Sequence, residues 1–367
     1  MRIGFDAKRY YLNKSGLGNY SRDLIRVLEE YYSDHIYLKY TPRVNNDSSI
    51  DSSTKLPEGK LNNFFSGLWR NNWVVKDLIK DQIDIYHGLS GEIPVGLSKK
   101  HIKSVVTIHD LIFLKYPNLY KPIDRFIYNK KFKHAVLHAD KVVAISQQTR
   151  LDISEYYNVP LESIDVIYQG CHPSFKIEKS SIDKQIVREK YNLPENFVLN
   201  VGSIEPRKNA FQIVKAIEHI DIPLVIIGKQ TPYSNEIKKY VSEKGLEKRI
   251  HILQGFSMHE LSTIYAMADL FVYPSIYEGF GIPIIEALYS GTPVITTKSG
   301  VFPEAGGPTS KYIDPNNLEE MSHQIKAILG DSQLQKDMIS DGLDYVQRFN
   351  DDIIAKQWID LYSSLMR

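Results

Sequence analysis

The chain has 367 residues, of which 43% are hydrophobic and 24% are charged, and this balance excludes a disordered or fibrous protein. The length predicts two or three domains. Lys and Arg total 45 against 44 Asp and Glu, and the formal net charge of +1 argues against a nucleic-acid-binding protein. A single cysteine, Cys171, and the absence of an apolar run of about 20 residues predict a soluble, cytoplasmic protein.

The near-neutral total is the sum of two unlike halves. Residues 1–170 contain 24 Lys and Arg against 19 Asp and Glu, whereas residues 171–367 contain 21 against 25. The basic half would suit an anionic acceptor or an anionic membrane surface. Ordinary scatter between two solvated surfaces explains the difference equally well.

In the first 170 residues, short apolar runs alternate with longer amphipathic stretches, which is typical of a parallel sheet covered by helices. The predicted strands are Arg2–Asp6, His35–Lys39, Ile83–His87, Lys103–Ile108, Lys141–Ala144 and Ile164–Ile167. The predicted helices are Tyr20–Tyr31, Pro122–His138 and Gln147–Tyr157. The polar segment Arg43–Asn63 has no clear period and is predicted to be a mobile surface loop.

The second half of the chain repeats this alternation. Its predicted strands are Asn196–Val201, Leu224–Ile227, Ile250–Leu253, Leu270–Tyr273 and Pro293–Thr296. Its predicted helices are Asn209–Ile220, Glu236–Glu243, Met258–Ala266, Pro283–Leu288, Leu318–Leu329, Ser332–Val346 and Asp351–Leu365. The two arrays predict an α/β fold of two Rossmann-like domains, with a break near Gly170–Ser181.

The most informative motif follows the strand Leu270–Tyr273 and leads into a helix at about Ile282. Gly279 and Gly281 allow backbone amides to approach a ligand closely, and a helix N-terminus favours an anionic or hydroxyl-rich group. Glu278 and Glu286 could each accept hydrogen bonds from vicinal hydroxyls. The alternative is a surface position for Glu278 and a helix-dipole contact for Glu286.

A second motif begins with Gly202 at the carboxyl end of a predicted strand and contains Arg207 and Lys208. Ligands of open α/β sheets bind at that edge, and adjacent Arg and Lys side chains suit a diphosphate. Two solvated cations are the alternative interpretation.

Two weaker patterns lie in the first half. Gly16, in the turn after the first strand, could present a bare amide to phosphate, although any tight strand-to-helix turn favours glycine. His109 ends an apolar strand beside Asp110 and could contact a sugar or assist proton transfer, or be purely structural. No Asp-x-Asp and no cysteine cluster occurs, so we predict no metal site.

Together these patterns resemble the group 1 family of retaining glycosyltransferases with the GT-B fold. Glu278, Glu286 and Ala287 are followed by Ser290–Ile295 and Gly300–Glu304, as in that family. The resemblance covers nearly the whole chain and is greatest to mannosyltransferases of bacterial surface polysaccharides. One departure is Ser203, where many relatives have an arginine directly after the glycine.

The resemblance implies roles for particular residues. Arg207 and Lys208 would bind the donor diphosphate, Glu278 the transferred sugar and Glu286 the ribose, while His109 would contact the sugar near its reacting carbon. The residues implied in catalysis are His109, Arg207, Lys208 and Glu278. The residues implied in donor binding are Gly16, Gly202, Phe256, Gly279, Phe280, Gly281 and Glu286.

The implied reaction moves a hexose, most simply mannose, from a GDP- or UDP-linked nucleotide diphosphate sugar to a hydroxyl of a saccharide or lipid-linked saccharide, with retention and without a cofactor or metal. Residues 1–170 would form the acceptor domain, with helix 351–367 packed on it, and residues 171–350 the donor domain across a cleft. The alternatives are a catalytically silent nucleotide-sugar-binding subunit and a sugar-nucleotide 2-epimerase.

The aromatic stretch Phe64–Arg70 with Trp73 suggests peripheral contact with the inner membrane surface. The alternative is a helix over Leu68–Leu78 that buries Trp69 and Trp73 in the core. No nucleic-acid partner is expected.

Overall fold

The computed structural model describes residues 1–13, 16–45, 50–58 and 66–367. The chain divides into two compact units, the first formed by Met1–Gly170 with Phe349–Arg367 and the second by Cys171–Arg348. Each unit contains a sheet of parallel strands with helices around it. The prediction of two Rossmann-like domains of the α/β class is confirmed.

The sheet of the first unit has seven strands in the order β3-β2-β1-β4-β5-β6-β7. The strands are β1 Arg2–Asp6, β2 Ile36–Tyr40, β3 Thr54–Lys55, β4 Ile85–Gly88, β5 Lys103–Ile108, β6 Lys141–Ala144 and β7 Ile164–Val166. The α-helices are Lys8–Leu12, Gly16–Tyr31, Ser66–Leu68, Val74–Lys80, Ile112–Lys115, Pro122–His138, Gln147–Tyr157 and Asp351–Leu365, with a π-helical turn at Trp69–Trp73. Within the described ranges, no helix combines the length and apolar composition needed to cross a membrane.

The sheet of the second unit has six strands in the order β10-β9-β8-β11-β12-β13. The strands are β8 Val198–Val201, β9 Leu224–Ile227, β10 Ile250–Leu253, β11 Leu270–Tyr273, β12 Val294–Thr297 and β13 Lys311–Ile313. The α-helices are Ser181–Tyr191, Ala210–Ala216, Ser234–Glu243, Met258–Tyr265, Ile282–Tyr289, Phe302–Gly306, Leu318–Leu329 and Ser332–Val346. All residues of β8, β9, β11 and β12 are buried, as expected for parallel strands covered on both faces.

The prediction that Arg43–Asn63 is a mobile surface loop is wrong for Thr54–Lys55, and residues 46–49 and 59–63 of that segment lie outside the described residues. Thr54–Lys55 forms β3, which pairs in parallel with β2. The buried Lys39 ammonium donates to the Asp51 carboxylate at 2.8 Å and anchors the segment. Because a long-range polar contact rather than apolar periodicity holds this strand, its sequence has no strand pattern.

Several further elements were absent from the sequence prediction, namely the short helices Lys8–Leu12, Ile112–Lys115 and Phe302–Gly306 and two elements of the second unit. Ser181–Tyr191 is a helix that begins at the last residue of the expected domain break. The Ser180 hydroxyl caps it and accepts from the Asp183 amide at 3.1 Å. Val187 is its one buried residue. Because most of its residues are polar, the helix lacks the apolar periodicity from which helices are predicted. Lys311–Ile313 is an edge strand paired with β12, and it is too short for a periodic pattern.

Both sheets reverse their strand order at one place. The first strand of the first unit, β1, lies between β2 and β4, and the first strand of the second unit, β8, lies between β9 and β11. Successive strands are therefore added first on one side and then on the other. The carboxyl ends of β1 and β4, and those of β8 and β11, border the crevices in which open α/β sheets bind ligands.

The helix Asp351–Leu365 packs on the first unit. The Arg26 guanidinium donates to the Asp351 carboxylate at 2.8 Å. The Trp358 ring lies 4.6 Å from the buried His87 imidazole, whose Nδ1 is 2.7 Å from the Tyr362 hydroxyl. The last helix of the chain thus completes the core of the unit that holds the first strand.

Trp358→Ala is expected to lower the free energy of unfolding of the first unit by about 3–5 kcal/mol, because it removes a fully buried indole and leaves a cavity. Urea unfolding with hydrogen exchange resolved by segment measures the change. Ile353→Ala, on the exposed side of the same helix, is the matched control and should change stability by no more than about 0.5 kcal/mol. Equal effects of the two substitutions would contradict the packing described.

Candidate active site

The loop after β8 brings two cations to the reversal point of the second sheet. Gly202 has φ +154°, which side chains rarely adopt. A Cβ on Gly228, at the end of β9, would lie 1.7 Å from the Gly202 carbonyl oxygen, so the loop packs closely on the neighbouring strand end. A 3₁₀ turn at Pro206–Lys208 follows and carries both Arg207 and Lys208.

These cations meet a carboxylate that follows β11. Glu278 Oε1 accepts from the Lys208 ammonium, and it lies 3.0 Å from Arg207 Nη1. The Ser275 hydroxyl and the Tyr273 hydroxyl donate to the same oxygen at 2.7 and 2.9 Å. Residues about 70 positions apart in the chain therefore converge on one oxygen atom, because β8 and β11 are neighbours in the sheet.

The electrostatics of this cluster keep the Glu278 carboxylate ionised at neutral pH. Burial alone would raise the pKa of the Glu278 carboxyl, but attraction by Lys208 and Arg207 outweighs burial and lowers the pKa to about 2. Burial and the neighbouring Glu278 raise the pKa of Tyr273 well above its usual value, so its hydroxyl remains a donor. Arg207 also binds the Glu205 carboxylate at 2.7 Å.

The glycine-containing loop after Glu278 is held by a buried ring and ends in a helix. Phe280 is buried, and Gly281, at φ +115°, precedes the first residue of Ile282–Tyr289. On that helix the Glu286 carboxylate accepts from the Tyr265 hydroxyl at 3.1 Å. Gly279 lies between the two carboxylate positions, so the predicted motif forms one continuous strand-loop-helix segment.

Phe256 lies beyond the carboxyl end of β10, the edge strand of the second sheet. Its half-buried ring packs against Tyr191 at 4.3 Å. Ser257 and Glu260 form a capping box that starts the next helix. Two strands separate this position from the Glu278 cluster by sheet order, so Phe256 stands apart from the groups around Glu278.

In the first unit, His109 is buried at the end of β5. Its Nε2 lies 2.9 Å from the Leu89 carbonyl oxygen, and its ring meets the Tyr20 ring edge-on at 4.5 Å. A carbonyl only accepts, so Nε2 carries the proton and Nδ1 is left as an acceptor. Burial lowers the pKa of His109 to about 4, and the imidazole is neutral at pH 7.

His109 also lines a cavity of about 160 Å³ that lies wholly within the first unit. One part of its wall is polar and the other is aromatic. The lining residues are Arg9, Leu17, Ser90, Glu92, His109, Asp110, Phe113, Tyr120, Tyr128 and Phe132. Carboxylates beside aromatic rings suit a ligand with hydroxyl groups on an apolar frame.

The ion pairs at the reversal point of the first sheet were not predicted from the sequence. The Arg70 guanidinium donates to Asp6 at 3.0 Å and to Glu92 at 2.5 Å, and the Lys131 ammonium donates to Glu92 at 2.9 Å. Arg70 and Asp6 are buried. The sequence feature that could have indicated this network is Asp6, a carboxylate at the end of the apolar strand β1. Charged groups at strand ends of such sheets often face a ligand site.

Gly16 is the exposed first residue of helix Gly16–Tyr31, which begins four residues before the predicted start. Among the described residues, none outside its own helix backbone has an atom within 4 Å of a Cβ built on Gly16, whereas a Cβ on Gly18 would lie 1.8 Å from the Asn13 carbonyl oxygen. Gly18 is therefore the glycine that packing requires.

The aromatic segment proposed for membrane contact lies partly outside the described residues, since these do not include Phe64 and Phe65. Trp69 is buried, with its Nε1 donating to Asp77 at 2.6 Å, and Trp73 remains 36% exposed. Trp69 thus belongs to the core, as the alternative interpretation predicts. The burial that the same interpretation predicts for Trp73 is wrong, because its side chain stays partly exposed.

Metal-ligating side chains are sparse. His134 and His138, one turn apart on a helix, stack on each other at 4.5 Å. In the part of the chain that the structure describes, no group of three or more His, Cys, Asp or Glu side chains is placed to hold an ion.

Two family descriptions match the chain, one in each unit. "Glycosyl transferases group 1" matches residues 181–344, and "Glycosyltransferase Family 4" matches residues 14–175. The O-antigen chain mannosyltransferase B of Escherichia coli is 28% identical over the full length of both chains. An O-antigen chain mannosyltransferase of Salmonella typhimurium is 32% identical over 67% of this chain and 65% of its own length.

The fold is also that of solved glycosyltransferase-like structures. The crystal structure of Anabaena HepE in complex with UDP superimposes with a TM-score of 0.78 at 18% identity, covering 99% of this chain and 100% of that one. The prediction of a GT-B fold is confirmed. The chain belongs to the group 1 family of glycosyltransferases and is a hexosyltransferase that resembles the mannosyltransferases of bacterial surface polysaccharides.

Proposed function

We propose that this enzyme transfers a mannose-like hexose from a nucleotide diphosphate sugar to a hydroxyl of a saccharide or lipid-linked saccharide during surface-polysaccharide synthesis. The observation that carries the proposal is the convergence of Arg207, Lys208 and Glu278 at the reversal point of the second sheet. Two cations and a carboxylate side by side suit a donor with phosphate and hydroxyl groups.

We assign the donor to the second unit. Arg207 and Lys208 would bind the diphosphate, Glu278 and the amides of Phe280 and Gly281 the sugar, and Glu286 the ribose hydroxyls. Gly202 leaves room for the phosphates beside Lys208, and the ring of Phe256 would contact the base. The UDP bound to the related fold of HepE supports a nucleotide-linked donor, GDP- or UDP-linked.

In the reaction, the bond between the anomeric carbon and the diphosphate oxygen breaks, and a bond to the acceptor oxygen forms on the same face. Negative charge accumulates on the departing diphosphate, and the two fixed cations would stabilise it. The diphosphate itself would take the acceptor proton, so no side chain is assigned as general base. His109 is neutral, and so would hydrogen-bond the sugar rather than supply a positive charge.

We assign the acceptor saccharide to the cavity of the first unit. Glu92 and Asp110 would accept hydrogen bonds from its hydroxyls, and the rings of Tyr128 and Phe132 would pack on its apolar face. Attraction by Arg70 and Lys131 outweighs burial and lowers the pKa of Glu92, so this carboxylate is ionised at neutral pH. The names of the two O-antigen relatives support a saccharide acceptor and a mannose-like sugar.

Arg207→Ala or Lys208→Ala is expected to lower turnover by about 10²-fold or more, because each removes a cation that would stabilise the leaving group. Transfer of labelled hexose at saturating donor measures the effect, with thermal unfolding to verify the fold. Lys239→Ala, which alters a largely exposed lysine of the same unit, is the control and should keep normal turnover. Near-normal turnover of the Arg207 and Lys208 variants would contradict the diphosphate assignment.

Activity is expected to persist in excess EDTA, since side-chain cations rather than a divalent ion would neutralise the diphosphate. Initial rates measured with and without chelator, after dialysis, test this expectation. Complete loss of activity that Mg²⁺ restores would show that the proposed charge stabilisation is insufficient.

Tyr128→Ala is expected to raise the KM for the acceptor about tenfold, equivalent to about 1.4 kcal/mol, while the KM for the donor stays unchanged. Initial-rate kinetics with each substrate varied in turn separate the two constants. Tyr156→Ala, at an exposed tyrosine of the same unit, serves as control. A parallel rise in both KM values would contradict the assignment of the acceptor to this cavity.

A further inference from the structure

The helix Pro122–His138 has two unlike faces. Tyr128 and Phe132 line the cavity of the first unit, and Ala135 and Val136 are buried. At 100° per residue, the opposite side of the helix carries five residues within about 40° of one line. These residues are Ile123, Phe126, Lys130, Lys133 and Leu137, and all of them are exposed.

The exposed side is unusually apolar at its N-terminal end. Phe126 is 69% exposed, Ile123 is 67% exposed and Ile127 is 43% exposed. Leu119, in the 3₁₀ turn just before the helix, is 53% exposed. Large apolar side chains that protrude together, rather than singly, mark an interaction surface. We call Leu119, Ile123, Phe126 and Ile127 the apolar tip.

Positive charge surrounds the apolar tip. Lys121, Lys130 and Lys133 are exposed. Residues 115–133 contain six Lys and Arg and only one acidic residue, Asp124. Their excess of five positive charges equals the whole excess of residues 1–170. Five of the six lie on this helix or at Lys121 directly before it, and two of the six, Lys115 and Lys131, are paired with Asp152 and Glu92. The exposed lysines therefore supply the positive charge beside the apolar tip.

We propose that the exposed side of this helix docks on the surface of an anionic lipid bilayer. An interfacial helix inserts apolar side chains at the level of the headgroups while lysines contact anionic lipid. The charge favours this occupant over a second copy of the chain, because two such basic faces would repel each other.

Exposed apolar side chains also occur elsewhere in the described part of the chain, so exposure alone does not identify a membrane-binding surface. Ile182 and Ile186, on a helix of the second unit, are 68% and 57% exposed. Residues 178–190 around them contain four Lys and Arg against three Asp and Glu. This pair matches the tip in apolar exposure but has no comparable charge, and so provides the control.

The two faces of the helix would connect substrate and membrane. If the proposed acceptor site is correct, the cavity face holds the saccharide while the opposite face contacts the bilayer that carries its lipid. This consequence depends on the proposed function, whereas bilayer docking itself does not.

Vesicle flotation of the full-length chain tests the docking, with no donor or acceptor present. We expect binding to vesicles of phosphatidylcholine with phosphatidylglycerol, little binding to phosphatidylcholine alone, and weaker binding as salt is raised. Ile123→Ser with Phe126→Ser should lower the partition coefficient at least tenfold. Lys130→Gln with Lys133→Gln should lower it about fivefold for each charge removed.

Ile182→Ser with Ile186→Ser is the matched control and should bind like the unaltered chain. Thermal unfolding verifies that each variant is folded, and the lysine variants provide the test if the apolar variant is not. Absence of binding to anionic vesicles, equal binding to neutral ones, or equal loss in the control pair would overturn the proposal. Self-association in solution that the Ile123 and Phe126 substitutions abolish would assign the surface to a second copy instead. A transferase assay is not involved, so failure here leaves the proposed reaction untouched.

Discussion

The arrangement of the second unit depends on a carboxylate that is only 13% exposed and must be neutralised. Glu278 follows β11 in a low-dielectric surrounding, where an unpaired charge would be strongly destabilising. Lys208 and Arg207, from the loop after β8, provide the compensation, and Tyr273 and Ser275 complete the hydrogen bonds. The same contacts hold the 3₁₀ turn and the glycine-containing loop beside each other. Lys208 and Arg207 therefore neutralise Glu278 in the folded protein and are also the side chains that we propose bind the diphosphate.

The first unit has a corresponding charge cluster in which the signs of the charges are reversed. There a buried cation, Arg70, lies between the carboxylates of Asp6 and Glu92, again where the strand order reverses. In one unit two cations flank a carboxylate, and in the other two carboxylates flank a cation. Removing the central group, Glu278 in one cluster or Arg70 in the other, would leave two like charges beside each other without compensation. Each cluster therefore constrains the loops that border its crevice.

The helix Pro122–His138 shows how one element serves two environments. Its period places Tyr128 and Phe132 toward the cavity and Phe126 and Lys130 toward solvent. Its apolar residues occur on both sides, so the sequence pattern marks the helix but does not reveal which apolar residues belong to the core. Packing of one side against the unit decides this, and the other side becomes a surface with its own chemistry.

The sequence by itself determined the two arrays of strands and helices. Lys103–Ile108, Leu224–Ile227 and Leu270–Tyr273 have the predicted bounds, because buried parallel strands are continuous apolar runs that local composition reveals. It also singled out Arg207, Lys208 and Glu278, since glycines and charges after strand ends are local features. Tertiary structure alone decided that these three side chains share one oxygen atom and that Trp69 is buried. It likewise decided that Asp6, Arg70 and Glu92 form one network. Contacts between residues some 60 to 70 positions apart depend on which strands become neighbours, and no local pattern encodes that choice.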